Sequence, residues 1–203
     1  MNNMPLMVDL TKQSIVIVGG GKVATKRALT LVEYCDDVHI VSPLITATLK
    51  ELLDKEKITW SQKEFEPQDV EQADLVVIAT NNSEVNTNVL KNIPSHALCN
   101  HAANAQAGNV TIPSILTRGK LSISVSTNGA SPKLNRKIIS TISDMYDESY
   151  ETYIDFLYES RQLIKRLSIE PSRKQDLLQR ILSDEYLDEV KQLEFMRWLH
   201  LQV

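Results

Sequence analysis

The chain has 203 residues and a formal net charge of −4, which allows one full domain and a smaller one. The negative balance argues against a nucleic acid partner, because such a partner needs a concentrated basic surface. No apolar run reaches the roughly 18 residues of a membrane span, and the N-terminus lacks the basic start and long apolar core of a signal peptide. Cys35 and Cys99 are too few for a disulfide framework, so we expect reduced thiols, a cytoplasmic location and no membrane partner.

The first strong signal is a strand that leads into a glycine-rich turn. Residues 14–18 are mostly apolar and β-branched, as in a buried parallel strand, and residues 19–24 then read Gly-Gly-Gly-Lys-Val-Ala before a stretch with helical spacing. A strand, the pattern Gly-x-Gly-x-x-Ala and a helix together form the context of a dinucleotide-binding fingerprint. In it Gly19 makes the tight turn, Gly21 lets the backbone approach a pyrophosphate, and Ala24 lets the helix pack close to the strand. The alternative is a glycine turn that serves packing alone.

Strands and helices alternate through the first half of the chain. The patterns predict strands at 38–41, 58–60, 75–79 and 97–100, and helices at 22–34, 44–55, 67–72 and 83–92. Such alternation is typical of right-handed βαβ units and a parallel sheet. We therefore predict an α/β fold that begins with a Rossmann-type parallel sheet.

Polar residues follow the second and fourth strands, where ligands bind in open α/β sheets. Thr80 and Asn81 are placed to hydrogen-bond a cofactor, and the alternative is that Asn81 or Asn82 caps the next helix. The second strand ends at Ser42, where an acidic residue normally binds the ribose 2′-hydroxyl. No Arg stands beside Ser42 to accept a 2′-phosphate. The residues alone therefore leave NAD and NADP open.

His101 follows the fifth strand and is a candidate proton carrier or metal ligand; the alternative is a hydrogen-bonded structural residue. Cys99 and His101 would share one face if the strand extended that far, but the small residues after Asn100 predict that it does not. Two ligands alone do not make a metal site, so we expect none.

The chain changes character after residue 113. Residues 109–112 and 121–126 alternate in the manner of strands, and Ser131 followed by Pro132 is a typical helix start. Hydroxyl and amide groups lead into that helix N-terminus, which suits an anionic group; they belong to Ser124, Ser126, Thr127 and Asn128. Cations stand in the first turns of the helix, at Lys133, Arg136 and Lys137. They indicate either an anionic partner or a plain solvated face.

Eight of the eleven aromatic residues lie beyond residue 145. Tyr146, Tyr150, Tyr153 and Leu157 follow helical spacing, which predicts a small helical core. The alternative is a subunit interface, and one helical layer can serve both purposes. We predict three parts: a nucleotide-binding domain at 1–113, a strand and helix region for dimerisation and substrate at 114–145, and a helical C-terminal domain at 146–203.

Five segments together resemble a known family, namely residues 18–24, 79–82, 99–100, 112–114 and 125–132. In this order and spacing they are similar to the precorrin-2 dehydrogenases of sirohaem biosynthesis. That group contains stand-alone dehydrogenases and the dehydrogenase/ferrochelatase module of bifunctional sirohaem synthases. The likeness covers residues 1–140, and the tail resembles the helical C-terminal region of the stand-alone type.

The resemblance implies an activity, a cofactor and a partner. Precorrin-2, a reduced tetrapyrrole, would lose hydride to NAD and protons to a base, giving sirohydrochlorin. The family is a homodimer, and four residues match its positions that contact NAD, namely Lys22, Val23, Pro43 and Leu44. Because the substrate carries many carboxylates, we expect it at the anion-binding segment, with contacts to Asn128, Gly129, Ser131, Lys133 and Arg136.

Two departures from the family concern the catalytic residues. Bifunctional members carry an Asp where this chain has Ala103, with Asn104 beside it, which argues against metal insertion and leaves His101 as the substitute base that we expect. Thr127 stands where bifunctional members have Ser, and it keeps the hydroxyl. The expected catalytic residues are thus His101, Asn104, Ser124 and Thr127. Two other functions stay open: a dehydrogenase that is also a ferrochelatase, and a non-enzymatic module that senses NAD(H).

Overall fold

The computed structural model describes residues 4–202, and the chain divides into two units, Met1–Ile112 and Pro113–Val203. The predicted further division at residue 145 stays a prediction. Within the described residues, no helix combines the length and the apolar character that crossing a membrane requires.

The first unit is built on a five-stranded parallel sheet, as predicted. The strands are Ile15–Val18 (β1), Val38–Val41 (β2), Thr59–Ser61 (β3), Leu75–Ile78 (β4) and Leu98–His101 (β5). The strand order is β3-β2-β1-β4-β5, so the order reverses beside β1, and ligands of such folds bind at this switch point.

Helices connect the strands and cover the sheet, so its central strands are buried. The helices are Lys22–Leu31 (α1), Ala47–Asp54 (α2) and Ser83–Asn92 (α3). Ala24 and Ala28 of α1 are fully buried, and these small side chains let α1 lie close to the sheet. Helix α2 begins later than predicted because Thr46 caps it, accepting a hydrogen bond from the Leu49 backbone N–H at 3.3 Å. The helix predicted at 67–72 is a single 3-10 turn, Pro67–Val70.

The strand predicted at residues 109–112 does not form. The segment instead lies beside β5, where backbone hydrogen bonds to the Cys99 carbonyl oxygen and side-chain amides hold it. Asn109 accepts a hydrogen bond from the Cys99 backbone N–H at 2.6 Å, and the Asn100 amide donates to the Val110 carbonyl oxygen at 3.0 Å. The alternation of apolar residues in this segment arises because Val110 and Ile112 pack against the core. It does not mark a strand.

The second unit begins with an antiparallel hairpin. Its strands are Ser114–Arg118 (β6) and Leu121–Val125 (β7), and Gly119 makes the turn with a φ of +53°. Among residues 4–202, four α-helices follow: Pro132–Met145 (α4), Ser149–Arg166 (α5), Pro171–Arg180 (α6) and Glu189–His200 (α7). A 3-10 turn, Asp184–Leu187, lies between α6 and α7. Ser131 caps α4 as predicted, accepting from the Leu134 backbone N–H at 3.1 Å.

Aromatic side chains form the core of the helical part, which confirms that prediction. The buried members are Tyr153, Phe156, Tyr186 and Phe195. Phe156 stacks on Tyr186 and meets Phe195 edge to face, and both arrangements are favourable for aromatic pairs. The Tyr153 hydroxyl donates to the Ile181 carbonyl oxygen at 3.0 Å, so this polar group is satisfied inside the core.

Candidate functional site

A cleft of about 720 Å³ lies at the carboxyl edge of the parallel sheet. Its walls come from the segments that follow β1, β2, β3 and β4, on both sides of the switch point. The cleft brings together all nine residues predicted to bind the cofactor: Gly19, Gly21, Lys22, Val23, Ser42, Pro43, Leu44, Thr80 and Asn81. Volume and position both suit a nucleotide.

The three glycines that follow β1 have different reasons to be glycine. Gly19 has a φ of +123°, and a Cβ there would lie 2.5 Å from the Ala79 carbonyl oxygen. A Cβ on Gly20 would lie 1.9 Å from the Leu44 carbonyl oxygen. Both therefore pack directly on neighbouring backbone. Gly21 has a φ of −85°, which any residue adopts, and a Cβ there would meet no atom within 4 Å. The protein itself does not require glycine at position 21, so the open space there suits a ligand that approaches the backbone.

The N-terminus of α1 opens on this space. Gly21 is its N-cap residue and has no side chain that can accept from the first-turn N–H groups. By contrast α2 and α3 are capped by side chains, at Thr46 and Asn82. Free N–H groups and the helix dipole together attract an anion such as a pyrophosphate. Lys22 begins α1 and adds a positive charge to the cleft.

The sequence left two roles open for the residues after β4, cofactor binding and capping of α3. Asn82 caps α3, accepting from the backbone N–H groups of Glu84 and Val85. Thr80 ties the turn together, since its hydroxyl donates to Asn86 Oδ1 at 2.6 Å and accepts from the Asn82 backbone N–H at 3.1 Å. Asn81 is exposed and lines the cleft.

Glu64 and Phe65 are among the cleft residues that the sequence did not predict. They follow β3, whose three residues carry a weak strand signal, and no motif marks them. The signal that was available is positional: β3 neighbours β2 in the sheet, so its continuation emerges at the same edge. The Trp60 indole N–H also donates to the Ser42 carbonyl oxygen at 2.9 Å, which fixes the segment after β2 against β3.

His101 lies outside the cleft lining. The prediction that β5 stops before it is wrong: the strand includes His101, which pairs with Ile78 of β4. Its side chain is only 6% exposed, and Nδ1 accepts a hydrogen bond from the Asn104 backbone N–H at 3.1 Å. A ring nitrogen that accepts carries no proton, so the neutral ring has its proton on Nε2. Asn104 is exposed and makes a turn in which its side chain accepts from the Gln106 backbone N–H.

The glycine-rich segment of the second unit forms a tight turn before α4. Asn128 and Gly129 have positive φ values of +48° and +85°, and the Ala130 backbone N–H closes the turn by donating to the Thr127 carbonyl oxygen at 2.9 Å. The Thr127 hydroxyl accepts from the Ser131 backbone N–H at 3.1 Å. The predicted polar residues around this turn are exposed at Ser124, Lys133 and Arg136.

Both cysteines are unpaired and buried. Burial raises the pKa of the Cys35 and Cys99 thiols, so both stay protonated at neutral pH and are poor nucleophiles. Within residues 4–202, no three His, Cys, Asp or Glu side chains converge in a way that could hold a metal ion.

The fold and the cleft define a Rossmann-type nucleotide-binding protein, and comparisons with known proteins agree. The family described as "Putative NAD(P)-binding" matches residues 6–114. Two further families match the second unit: "Sirohaem biosynthesis protein central" at residues 118–138 and "SirC C-terminal domain" at residues 150–195.

Full-length relatives give the particular family. The precorrin-2 dehydrogenase of Priestia megaterium is 39% identical, over 95% of this chain and 96% of that protein. The precorrin-2 dehydrogenase of Bacillus subtilis (strain 168) is 31% identical, over 78% and 98%. The solved structure of SirC, precorrin-2 dehydrogenase, matches with a TM-score of 0.83 and 37% identity, over 98% of this chain and 99% of that one. This chain belongs to the precorrin-2 dehydrogenase family, and it is an oxidoreductase that uses a nicotinamide cofactor.

Proposed function

We propose that this protein oxidises precorrin-2 to sirohydrochlorin in sirohaem biosynthesis, with NAD as its cofactor. The observation that carries the proposal is Gly21, a glycine that neither backbone conformation nor packing requires, in a chain whose relatives are precorrin-2 dehydrogenases. The substrate loses two electrons as one hydride and releases a proton.

The cleft residues divide the work of binding. The first-turn N–H groups of α1 and the Lys22 ammonium hold the pyrophosphate. Val23 and Leu44 are apolar side chains that are 49% and 77% exposed at the cleft, and they cover the flat rings of the nucleotide. Asn81 orients the nicotinamide end by hydrogen bonding. When bound, NAD supplies the hydride acceptor, so the protein contributes mainly position and orientation.

The proton is taken up by His101 in this proposal. Nδ1 is the basic nitrogen of the neutral ring, and it is occupied by the Asn104 backbone N–H. Proton uptake therefore requires that this bond opens, which makes the turn at Asn104 part of the proposed mechanism. Ser124 and Thr127 are proposed to act at the substrate through their hydroxyl groups.

The turn before α4 is the proposed binding segment for the substrate carboxylates. The Asn128 backbone N–H already donates to the Ser126 hydroxyl, so the donors proposed for the substrate are the Gly129 backbone N–H and the N–H groups at the positive end of α4, which begins after Ser131. Lys133 and Arg136 are exposed and add positive charge beside that end. A hydroxyl, N–H donors and cations together match a substrate with many carboxylates.

The proposed assembly is a homodimer formed through the second unit. Helix α4 is strongly amphipathic, yet none of its residues is buried within one chain. Its exposed apolar residues include Leu134 and Met145, at 46% and 63%. Apolar side chains aligned on an uncovered helix face are typical of a subunit interface.

A cytoplasmic location is also proposed. It is supported by the two unpaired thiols, at Cys35 and Cys99, since unpaired cysteines are usual in a reducing compartment.

The proposal is tested by anaerobic incubation of the purified protein with precorrin-2 and NAD, followed through the visible spectrum, with Fe²⁺ added at the end. We expect conversion to sirohydrochlorin that stops there, because Ala103 replaces the Asp of the bifunctional enzymes. Iron insertion faster than in a protein-free control would instead establish a ferrochelatase as well. Tight binding of NADH without any change in precorrin-2 would overturn the proposal in favour of a nucleotide-sensing module.

A further inference from the structure

The end of β2 supplies no negative charge to the cleft. In Rossmann-type folds an acidic residue at this point accepts hydrogen bonds from the adenosine ribose 2′-hydroxyl. Here the position holds Ser42, which is buried and whose hydroxyl donates to the Leu44 carbonyl oxygen at 2.8 Å. Its one donor is already used, and a neutral oxygen does not repel a 2′-phosphate.

A carboxylate reaches the same cleft from the neighbouring strand. Strand β3 runs parallel to β2, with Ser61 opposite Val41, so both strands end at the same edge of the sheet. Glu64 follows β3 and lines the cleft beside the residues that continue β2. It is the one acidic residue among the described residues that line this cleft.

The carboxylate of Glu64 is free to bind a ligand. It is exposed, and within residues 4–202 it receives no hydrogen bond and forms no ion pair. The adjacent cation is already neutralised, because the Lys63 ammonium lies 2.5 Å from Glu66 and 2.8 Å from Asp69. Lys63 is therefore not available to hold a 2′-phosphate.

The loop that carries Glu64 is anchored on both sides. Phe65 packs against the apolar layer of the sheet that includes Val70. The Glu66 backbone N–H donates to Asp69 Oδ2 at 2.8 Å, and the Lys63 backbone N–H donates to the Ser61 carbonyl oxygen at 3.0 Å. An anchored loop presents the carboxylate at little entropic cost when a ligand binds.

We propose that Glu64 takes the role of the missing acidic residue after β2. Its carboxylate accepts hydrogen bonds from the adenosine ribose hydroxyls of NAD and repels the 2′-phosphate of NADP. Glu64 is thereby the residue that determines cofactor specificity. The inference rests on the part of the proposed function that places a nicotinamide dinucleotide in this cleft.

The test is calorimetric titration of the full-length protein with NADH and, separately, NADPH. The wild type is compared with Glu64→Gln, Glu64→Lys and a matched control, Glu51→Gln, which removes an exposed carboxylate on α2 outside the cleft. We expect the wild type to prefer NADH and Glu64→Gln to reduce that preference about tenfold, through loss of charge-assisted hydrogen bonds and of repulsion. Glu64→Lys is expected to reverse the preference, and Glu51→Gln to keep it.

The outcomes separate this inference from the proposed function. Equal affinities of the wild type for both nucleotides, or an unchanged preference in both Glu64 variants, would overturn the role of Glu64 while leaving nucleotide binding intact. A wild type that binds neither nucleotide would overturn both. A preference for NADH that depends on Glu64, in a protein that leaves precorrin-2 unchanged, would support the role of Glu64 and contradict the proposed substrate.

Discussion

The Cα of Gly20 lies so close to Leu44 that a Cβ there would approach the carbonyl oxygen to 1.9 Å. One residue later, at Gly21, the same added atom would meet nothing within 4 Å. Two adjacent glycines of one motif therefore have different roles. Gly20 is needed for the contact between the turn after β1 and the segment after β2. Gly21 leaves the N-terminus of α1 accessible from the cleft.

This difference predicts opposite effects for two substitutions. Gly20→Ala should lower the free energy of unfolding by about 1–3 kcal/mol, because the backbone must move to relieve the overlap. Gly21→Asp should leave the free energy of unfolding unchanged or raise it by a few tenths of a kcal/mol, since Asp is a good N-cap residue. The same substitution should abolish NADH binding, because the Asp side chain occupies the place of the pyrophosphate. Urea unfolding and NADH titration measure the two effects. Normal NADH affinity in Gly21→Asp would contradict the assignment of the cleft.

For His101, a pair of variants separates a chemical role from a structural one. His101→Ala removes the ring, whereas His101→Asn keeps an oxygen that can accept from the Asn104 backbone N–H. If the imidazole takes up the proton, both variants should lower kcat by about 10²-fold, while the Kd for NADH stays within about twofold. Anaerobic turnover and NADH titration provide the data. Normal kcat in His101→Asn would mean that the residue only positions the turn.

The exposed apolar face of α4 predicts how the dimer can be broken. Leu134→Glu adds a charge at a position that is open to solvent in one chain, so it should not unfold the protein, but burying that charge between subunits would be costly. Sedimentation velocity at micromolar concentration should show a dimer for the wild type and a monomer for Leu134→Glu. Leu182→Glu, at another exposed leucine, is the control and should stay dimeric. A monomeric wild type would disprove the dimer.

His39 predicts part of the response to acid. Its ring lies between the hydroxyls of Thr59 and Ser61, 2.7 and 3.0 Å away, and burial lowers its pKa from the ordinary 6.5, against the opposing effect of Asp69. The unfolded chain therefore binds this proton more readily than the folded one. The contribution of the neutral ring is fully present above pH 6.5 and is lost as the pH falls from there toward the lowered pKa.

The measurement is urea unfolding of the wild type and His39→Gln at about pH 7.5 and about pH 5.5. The wild type should lose more stability on acidification than the variant, because glutamine does not titrate. His96→Gln, which removes an exposed histidine, should behave as the wild type does. Equal losses in the wild type and His39→Gln would show that His39 does not contribute.

The sequence by itself determined what depends on local chemistry. β-Branched runs marked the strands of the sheet, the glycine motif marked the turn before α1, and Ser131 with Pro132 marked the start of α4. Each signal acts through neighbours along the chain, such as a cap that accepts from an N–H three residues on. The order of these segments was also enough to suggest the family.

Only the tertiary structure decided what depends on residues far apart in sequence. Residues 109–112 form no strand although the backbone N–H groups of Asn109 and Val110 both donate to the Cys99 carbonyl oxygen. Side-chain amides of Asn100 and Asn109 make the other hydrogen bonds to this segment. Glu64 enters the cleft because β3 lies beside β2, a neighbour relation that no local pattern encodes. Gly20 and Gly21 differ only because Leu44 approaches one of them. Packing across the sheet brings these groups together, and its effect cannot be read from spacing along the chain.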